Sequence, residues 1–438
     1  MSELHLFVLW EKSRFAEKRI LADMAHELEI VCTRELRFEE DPKLSFRRFY
    51  GPALPNACRK VKESGSGPFL LVVVRDRDPE YGTCTLDGSE YRNANLRLVH
   101  LKCRYRNWAG RRHRVHGTTK RAEFARDVLM LTGHSADEWE KGVPEGTWQM
   151  LLPDVWSAES SSEPFASTPI APGRELDIAD AHVFLENKYI NDTFLEGTFR
   201  GTPCIVKRTS KAVWSIGNEY RLASRMHAAA PTVVPRPLAW QYDCVAHSAS
   251  VVMAKVSGPS LTELLARGVT DAQADGFADD IRVLAEALKR EGVLHRDLFS
   301  DNLLLDADGH LKAIDWQLAI DRARYREDPW VTRNWKFHYV VFGVNRELGL
   351  GVWNDFHALA KVLAQLPQTV AVRDVLAWLE KEMPEMAFAR PPKGWTRFRL
   401  WLYGCSLRFQ MLLNCRRPEK YARLERRWRT VRCKMSKK

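Results

Sequence analysis

The sequence predicts an α+β protein with two domains and a basic C-terminal tail. Apolar strand-like runs alternate with helix-like stretches over the first third of the chain, which is typical of a small α/β domain. A Ser- and Pro-rich stretch at residues 157–172 has no apolar period and is therefore predicted as a linker. With 438 residues and 45% hydrophobic residues, the chain is long enough for two or three sizeable cores.

Four segments define the first domain. Leu6–Trp10 and Glu29–Phe38 are predicted as strands, Phe15–Leu28 as a helix, and Pro68–Val74 as a buried strand. The predicted boundaries are 1–155 for this domain, 156–174 for the linker, 175–257 and 258–390 for the two lobes of the second domain, and 391–438 for the tail.

The later part of the first domain contains a recognisable set of motifs. These are Ser66-Gly67-Pro68 before an apolar strand, the run Gly110–Thr118 that contains Val-His-Gly-Thr, and a helix carrying Glu123, Phe124 and Asp127. Residues 1–140 thus resemble nucleoside diphosphate kinases, and the motifs are most specific in the last third. The resemblance implies a ferredoxin-like fold and puts His116 at the phosphohistidine position, as a candidate catalytic residue.

This first domain also departs from the family pattern. The resemblance places a lysine at the end of the first strand, where this chain has Trp10, with Lys12 nearby, and it places an asparagine where this chain has His113. Arg104 and Arg106 lie close to the place expected for nucleotide-binding arginines. The alternative is therefore a scaffold kept for packing or for positioning substrate. We expect that His116 does not carry phosphate during turnover.

The most informative motif of the chain is His295-Arg296-Asp297, followed by Asn302 and by Asp315 in Ala-Ile-Asp-Trp. In such an arrangement one aspartate orients an acceptor hydroxyl, while the asparagine and the second aspartate hold Mg²⁺. Apolar residues on both sides of the triplet predict strands that flank a catalytic loop. Asp306–Gly309 is predicted as a hairpin turn rather than the start of a calcium loop.

Further candidate residues for phosphoryl transfer occur before and after this motif. Cys204–Lys207 is an apolar strand that ends in lysine, and Glu219 lies twelve residues later in a helix-like stretch. Ser250–Val256 reads as a strand and hinge, and Asp355 begins a helix-like segment. Taken singly, such a lysine or glutamate is usually a solvated surface charge.

Together these motifs resemble the protein-kinase-like superfamily, which implies a bilobal domain that binds ATP and Mg²⁺. The resemblance implies that Lys207 grips the α and β phosphates, that Glu219 pairs with Lys207, and that the hinge around Met253 and Lys255 holds adenine. It also implies that Asp297 orients the acceptor. The implied metal ligands are Asn302 and Asp315, and Asp355 would brace the catalytic loop.

Several features differ from ordinary protein kinases. The expected Gly-rich loop offers only Gly197 and Gly201, and Asp315 is followed by Trp316-Gln317 rather than Phe-Gly. No Ala-Pro-Glu occurs between Asp315 and Asp355. Ile-Asp-Trp is similar to small-molecule phosphotransferases and bacterial lipopolysaccharide sugar kinases, which favours a saccharide or glycolipid acceptor. The alternatives are a protein kinase for a cytoplasmic partner and a pseudokinase scaffold.

Positive charge is concentrated in the tail. Residues 391–438 contain fifteen Lys or Arg against two acids, a net charge of +13, whereas the whole chain carries +11. Aromatic residues and leucines are interleaved with arginine between Trp395 and Leu413, which suits a helix lying at an anionic membrane surface. Packing on the kinase lobe is the alternative. Nucleic acid is disfavoured, because phosphate contacts do not require so many apolar residues.

Two further observations bear on location. The nine cysteines form no Cys-x-x-Cys pair and suit a reducing compartment. The N-terminus has no cationic segment followed by a long apolar run, so no signal peptide is predicted. We therefore expect a cytoplasmic enzyme, with peripheral binding to the inner face of the membrane through the tail.

Overall fold

The structure is a computed structural model that describes residues 2–51, 54, 56–86, 89–110, 114–159, 171–172, 175–187, 192–210, 213–323 and 352–389. The chain forms two compact units. Unit 1 comprises residues 1–195, 206–217 and 239–250, and unit 2 comprises residues 196–205, 218–238 and 251–438.

The N-terminal part of unit 1 is a four-stranded antiparallel sheet with helices. Its elements are β1 Glu3–Leu9, a 3₁₀ helix Glu11–Ala16, α1 Glu17–Glu27, β2 Glu29–Leu36, α2 Pro42–Tyr50, α3 Ala57–Ser64, β3 Phe69–Asp76, β4 Tyr81–Leu86, β5 Ser89–Asn95, α4 Leu96–Trp108, β6 Val115–Gly117, α5 Arg121–Thr132 and α6 Ala136–Lys141. The strand order of the sheet is β2-β3-β1-β6, and β4 and β5 form a separate hairpin.

The predicted strands and helix of this part are confirmed with small shifts at their ends. Strand β1 is buried along its whole length and β3 along most of its length, which explains why both are continuous apolar runs in the sequence. Phe7, Leu9, Val72 and Val74 pack in one core with Ile20 and Met24 of α1.

A second, seven-stranded sheet follows. Its strands are β7 Val155–Glu159, β8 Ala171–Pro172, β9 Ala179–Asn187, β10 Asp192–Phe199, β11 Thr202–Thr209, β12 Pro237–Asp243 and β13 Ser248–Ala254, and helix α7 Val213–Ala229 lies between β11 and β12 in the chain. The strand order is β8-β7-β12-β13-β11-β10-β9.

Two strands lie at the ends of the predicted linker, and residues 160–170 in its middle lie outside the described residues. Both of its ends are strands, because β7 pairs with β12 and β8 pairs with β7. Trp156 on β7 is buried and donates from Nε1 to the carbonyl of Arg48 on α2, at 2.9 Å. A Ser- and Pro-rich composition therefore did not exclude strands whose partners lie elsewhere in the chain. The domain boundaries themselves stay predictions.

The C-terminal part of unit 2 is mainly helical. Its elements are α8 Leu261–Arg267, α9 Asp271–Glu291, β14 Val293–Leu294, β15 Leu303–Leu305, β16 Leu311–Ala313, β17 Ile320–Asp321, β18 Val352–Trp353, α10 Asp355–Leu363, α11 Val370–Met386 and β19 Phe388–Ala389. Short 3₁₀ turns lie at Ser300–Asn302 and Trp316–Leu318.

Helix α9 organises the core of this part. Thr270 begins the helix with a capping box, and Gly292 ends it with φ +61°, a conformation that favours glycine. The buried side chains Phe277, Ile281, Leu284 and Leu288 follow the helical period and pack in one core with residues of α10 and α11. Gly292 leads directly into β14 and the catalytic loop, so the capped end of α9 fixes where that loop begins.

Other sequence predictions fall outside the described residues. These are the basic tail 391–438, residues 188–191 of the expected phosphate loop, and residues 324–351 between the kinase motifs. Within the described part of the chain, no helix combines the length and apolar character needed to cross a bilayer.

Candidate functional site

The predicted catalytic loop, which contains His295, Arg296 and Asp297, is held by the N-terminal residue of helix α10. Asp355 is fully buried, and its carboxylate accepts hydrogen bonds from the backbone N–H groups of His295 at 2.5 Å and Arg296 at 2.9 Å. Burial raises the pKa of the Asp355 carboxyl to about 6, although the two N–H groups and the charge of Arg296 oppose the rise. Asp355 therefore has the contacts expected of a residue that braces the loop.

Arg296 has an unusual backbone conformation. Its φ is +74°, in the left-handed region that residues with side chains rarely adopt. Its guanidinium is buried and lies 4.2 Å from the centre of the Trp353 ring, a cation–π contact. The two backbone bonds to Asp355 and this ring contact hold the strained residue, which sets the direction of the next residue, Asp297.

Asn302 joins the catalytic loop to the strand that precedes Asp315. Its Nδ2 donates to the carbonyl of Asp297 at 2.8 Å, and its own carbonyl accepts from the N–H of Ile314 at 3.0 Å. Asn302 and Asp297 are each about 9% exposed. One residue thus links the loop containing Asp297 to the segment containing Asp315.

Asp315 also has a left-handed backbone, with φ +61°, and is half-buried. The residue after it, Trp316, is fully buried and donates from Nε1 to the carbonyl of Ala313 at 3.0 Å. Its ring meets the His295 ring edge-on at 4.5 Å, while His295 Nε2 donates to the carbonyl of Ile314 at 2.9 Å. Trp316 therefore serves as core packing beneath the catalytic loop, which accounts for a tryptophan at this position.

The predicted nucleotide-binding residues lie as follows. Lys207 is buried on β11, with its Nζ 6.0 Å from the centre of the Phe194 ring, in unit 1. Glu219 is buried on α7 in unit 2, and the ion pair between Lys207 and Glu219 stays a prediction. Met253 is half-buried on β13.

Lys255 is engaged on both its backbone and its side chain. Its N–H donates to the carbonyl of Pro203 at 3.0 Å, and its ammonium forms an ion pair with Glu196. A hydrogen bond from the Lys255 N–H to adenine would therefore have to replace the bond to Pro203. Any contact of Lys255 with nucleotide stays a prediction.

A second group of polar residues surrounds His116 in the N-terminal part of unit 1. Nε2 of His116 donates to the Asp127 carboxylate at 2.7 Å, and Asp127 also accepts from Arg126 Nε at 2.7 Å. The edges of the Phe49 and Tyr50 rings face the imidazole at 5.3 and 5.5 Å. Only 14% of the His116 side chain is exposed, and burial lowers its pKa although Asp127 favours the charged form.

Two buried lysines belong to this group and were not identified from the sequence. Lys60 on α3 is 6% exposed and lies 4.7 Å from the Tyr50 ring centre and 5.2 Å from that of Trp10. Burial, together with the charge of Arg106, lowers the pKa of Lys60 well below its usual value. Burial also lowers the pKa of Lys102 to about 8. The sequence signal for a buried Lys60 was the spacing of Ala57, Lys60 and Ser64, which places all three residues on one face of α3.

At the end of β1, where the resemblance to nucleoside diphosphate kinases places a lysine, this chain has a tryptophan. Trp10 is buried there among the rings Phe38, Phe46, Phe49, Tyr50 and Phe69. Lys12 points elsewhere, since its Nζ donates to the carbonyl of Lys62 at 3.0 Å.

The two candidate arginines have different surroundings. Arg104 forms ion pairs with Asp23 and Glu27 on α1. Arg106 donates from Nε to the carbonyl of Val115, the residue before His116. Of the two arginines that the sequence suggested for nucleotide binding, only Arg106 lies beside this group.

Comparison with known proteins concerns the part of the chain that contains the kinase motifs. A family model for the RIO domain matches residues 188–333. A segment of 67 residues is 39% identical to part of serine/threonine-protein kinase STE20 of Debaryomyces hansenii, covering 15% of this chain and 6% of that protein. This chain therefore spans only a small fraction of that relative's length.

The RIO-domain match covers the catalytic loop, Asn302 and Asp315. It supports the protein-kinase-like superfamily. A kinase-like domain of this type supports ATP binding and phosphotransferase activity in general. Both activities agree with the hydrogen bond by which Asn302 holds Asp297.

Proposed function

We propose that this chain is an ATP-dependent phosphotransferase whose reaction takes place at the loop carrying Asp297. The observation that supports this most strongly is the bond from Asn302 Nδ2 to the Asp297 carbonyl, because it links the acceptor-orienting residue to a metal ligand. Asp297 would hold the acceptor hydroxyl and receive its proton as the oxygen attacks the γ-phosphorus. The oxygen–phosphorus bond to ADP would break on the opposite side.

The residues present fit a magnesium ion. Asn302 uses its amide nitrogen toward Asp297, so its oxygen faces away from that carbonyl, and Asp315 supplies a carboxylate. The described residues contain no cluster of three or more His, Cys, Asp or Glu that could enclose a metal. Mg²⁺ suits such a site because it usually takes one or two protein oxygens together with phosphate oxygens and water. When bound, it would neutralise charge on the transferred phosphoryl group.

For the acceptor, we propose a hydroxyl of a cell-surface saccharide or glycolipid precursor. The support comes from the sequence, in the Ile-Asp-Trp motif and in the lack of Ala-Pro-Glu between Asp315 and Asp355. Burial of Trp316 beneath the loop agrees with a structural role for this altered motif. Phosphorylation of a protein is the second candidate, and the similarity of one segment to STE20, a serine/threonine-protein kinase, favours it.

We also propose that the basic tail binds an anionic membrane surface, which would place the enzyme near a lipid-linked acceptor. The support is a net charge of +13 in residues 391–438, with aromatic residues and leucines among the arginines. Replacing Arg426, Arg427 and Arg429 by Glu in the full-length chain should abolish sedimentation with phosphatidylserine vesicles. Binding that survives this change would contradict the proposal.

For the N-terminal part, we propose a ferredoxin-like domain, similar to nucleoside diphosphate kinases, that positions or recognises substrate. The antiparallel order β2-β3-β1-β6 supports the fold, because a ferredoxin-like domain has this arrangement of four strands. Trp10 in place of the family lysine supports a role other than phosphotransfer at His116.

The experiment is a transfer assay with γ-labelled ATP and Mg²⁺. Wild type, Asp297→Asn and Asp315→Asn are each incubated with lipopolysaccharide core oligosaccharide and, separately, with a mixed protein substrate. Label on the saccharide that disappears in both variants supports the proposal, whereas label on protein alone selects the second candidate. No transfer by wild type, with no metal-dependent binding of nucleotide, would leave the scaffold alternative.

A further inference from the structure

Helix α7 faces the segment that follows Asp315 through two polar side chains. Asn218 and Arg225 are seven residues apart, close to two turns of helix, so both lie on the same face. Each reaches the segment Ala319–Asp321, which begins four residues after Asp315. Glu219 is the residue next to Asn218, and all of these residues belong to unit 2.

The Asn218 amide is buried and fixed in orientation. Its Nδ2 donates to the carbonyl of Ala319 at 2.8 Å, and its Oδ1 accepts from Arg221 Nη2 at 2.9 Å. Asn218 is only 2% exposed and Ala319 only 1%. Because a buried carbonyl that loses its donor is costly, this bond holds the helix in one position relative to the segment.

Arg225 makes the second attachment two turns later. Its Nη1 donates to Asp321 Oδ2 at 2.8 Å and its Nε to Glu291 Oε2 at 2.9 Å, and Nη2 bonds the carbonyl of Glu291. A guanidinium with three such bonds fixes direction as well as distance, which an ammonium does not. Arg225 thus ties α7 to the end of α9 as well as to Asp321.

The same segment is attached on its other side to the start of the catalytic loop. Ile320 and Asp321 of β17 pair with Leu294 and Val293 of β14, directly before His295. The N–H of Arg322 also donates to the carbonyl of Gly292 at 2.9 Å. Residues 319–321 therefore lie between α7 and the strand that leads into the catalytic loop.

From these contacts we propose that Asn218 and Arg225 are positioning residues that lock α7 to the segment following Asp315. The lock holds Glu219 and Asp315 in one arrangement, so the metal-nucleotide site is assembled without a prior movement of α7. Neither residue touches nucleotide; both act through the position of Asp315. The inference rests on the proposed function, since it concerns the same site.

The test compares Asn218→Ala, Arg225→Ala and Arg225→Lys with wild type. Binding of a non-hydrolysable ATP analogue is measured by calorimetry over a range of Mg²⁺ concentrations, and thermal unfolding is measured on the same samples. The matched control is His227→Gln, because His227 lies on the same helix and bonds the carbonyl of Val234 at 2.8 Å, away from the segment. Hydrogen exchange of peptides covering residues 316–323 is followed without nucleotide.

The two alanine variants should need about five- to tenfold more Mg²⁺ for half-maximal analogue binding and should exchange faster at 316–323. Arg225→Lys should lie between Arg225→Ala and wild type, and His227→Gln should match wild type. An unchanged Mg²⁺ requirement in both alanine variants, or an equal rise in His227→Gln, would overturn the inference. Failure of wild type itself to bind the analogue with Mg²⁺ would overturn the proposed function and this inference with it.

Discussion

The carboxylate of Asp355 accepts a hydrogen bond from the backbone N–H of Arg296 at 2.9 Å, although the two residues lie 59 positions apart in the chain. Arg296 has φ +74° and is buried, so its conformation depends on partners from outside the loop. Because Asp297 follows Arg296 directly, the bonds from Asp355 on α10 control where the Asp297 carboxylate can lie.

Asp355→Ala should therefore destabilise the protein and stop phosphoryl transfer. The substitution leaves the buried N–H groups of His295 and Arg296 without acceptors, at a cost of about 1–3 kcal/mol each. The free energy of unfolding in urea measures the effect. Glu380→Ala, on the exposed face of α11, is the control and should change it by less than about 0.5 kcal/mol. Equal stability of the two variants would show that Asp355 is not a brace.

The raised pKa of Asp355 predicts a specific pH dependence. Burial raises this pKa from 3.8 to about 6, so the folded state favours the neutral carboxyl. The resulting stabilisation is complete below about pH 4 and is lost as the pH rises through about 6, a change of about 3 kcal/mol. The free energy of unfolding of wild type relative to Asp355→Asn should fall over this window and then level off. A difference that stays constant from pH 4 to 7 would contradict the prediction.

Two substitutions at Asn302 separate its proposed roles. Asn302→Asp keeps an oxygen for the metal but loses the donor to the Asp297 carbonyl. We expect metal-dependent nucleotide binding to survive and kcat to fall by about a hundredfold, because Asp297 is no longer held. Asn302→Ala should lose both properties. Thr262→Ala, which removes a surface bond to Ser300, is the control and should keep near wild-type kcat.

We expect no phosphohistidine at His116. Only 14% of the His116 side chain is exposed, and this chain has Trp10 where the resemblance to nucleoside diphosphate kinases places a lysine. The full-length Asp297→Asn protein, which removes transfer at the kinase-like site, is incubated with labelled ATP. Absence of acid-labile, base-stable label is the expected result. Label that appears there and is lost in the Asp297→Asn, His116→Ala double variant would establish a second phosphotransferase.

Because Trp156 packs against Gly51, adding a single methyl group at Gly51 should strongly reduce stability. A Cβ at Gly51 would lie 2.7 Å from the indole of Trp156, and Gly51 has φ +54°. Gly51→Ala should destabilise unit 1 by about 1–3 kcal/mol through overpacking and backbone strain. Gly276→Ala in α9 meets nothing within 4 Å and should stabilise its helix by about 0.5–1 kcal/mol. Thermal unfolding of both variants checks the contrast.

Several elements could be predicted because their determinants are local in the chain. The apolar runs at Leu70–Val74 and Leu303–Leu305 are strands, and Asp306–Gly309 is the turn of a hairpin, with Gly309 at φ +88°. Strand β7 was not predicted within the linker segment, because its pairing with β12 depends on residues about eighty positions away. Composition alone contains no information about such a partner.

The sequence by itself determined which residues form the candidate site, because the order and spacing of Asp297, Asn302 and Asp315 can be read from the chain without a structure. Only the tertiary structure decided that Trp316 is a buried support, that Lys60 is enclosed by aromatic rings, and that Asn218 attaches α7 to Ala319. The physical reason is that these contacts join distant residues. Burial, and the pKa shifts and bond partners that follow from it, arise from the packing of many side chains at once.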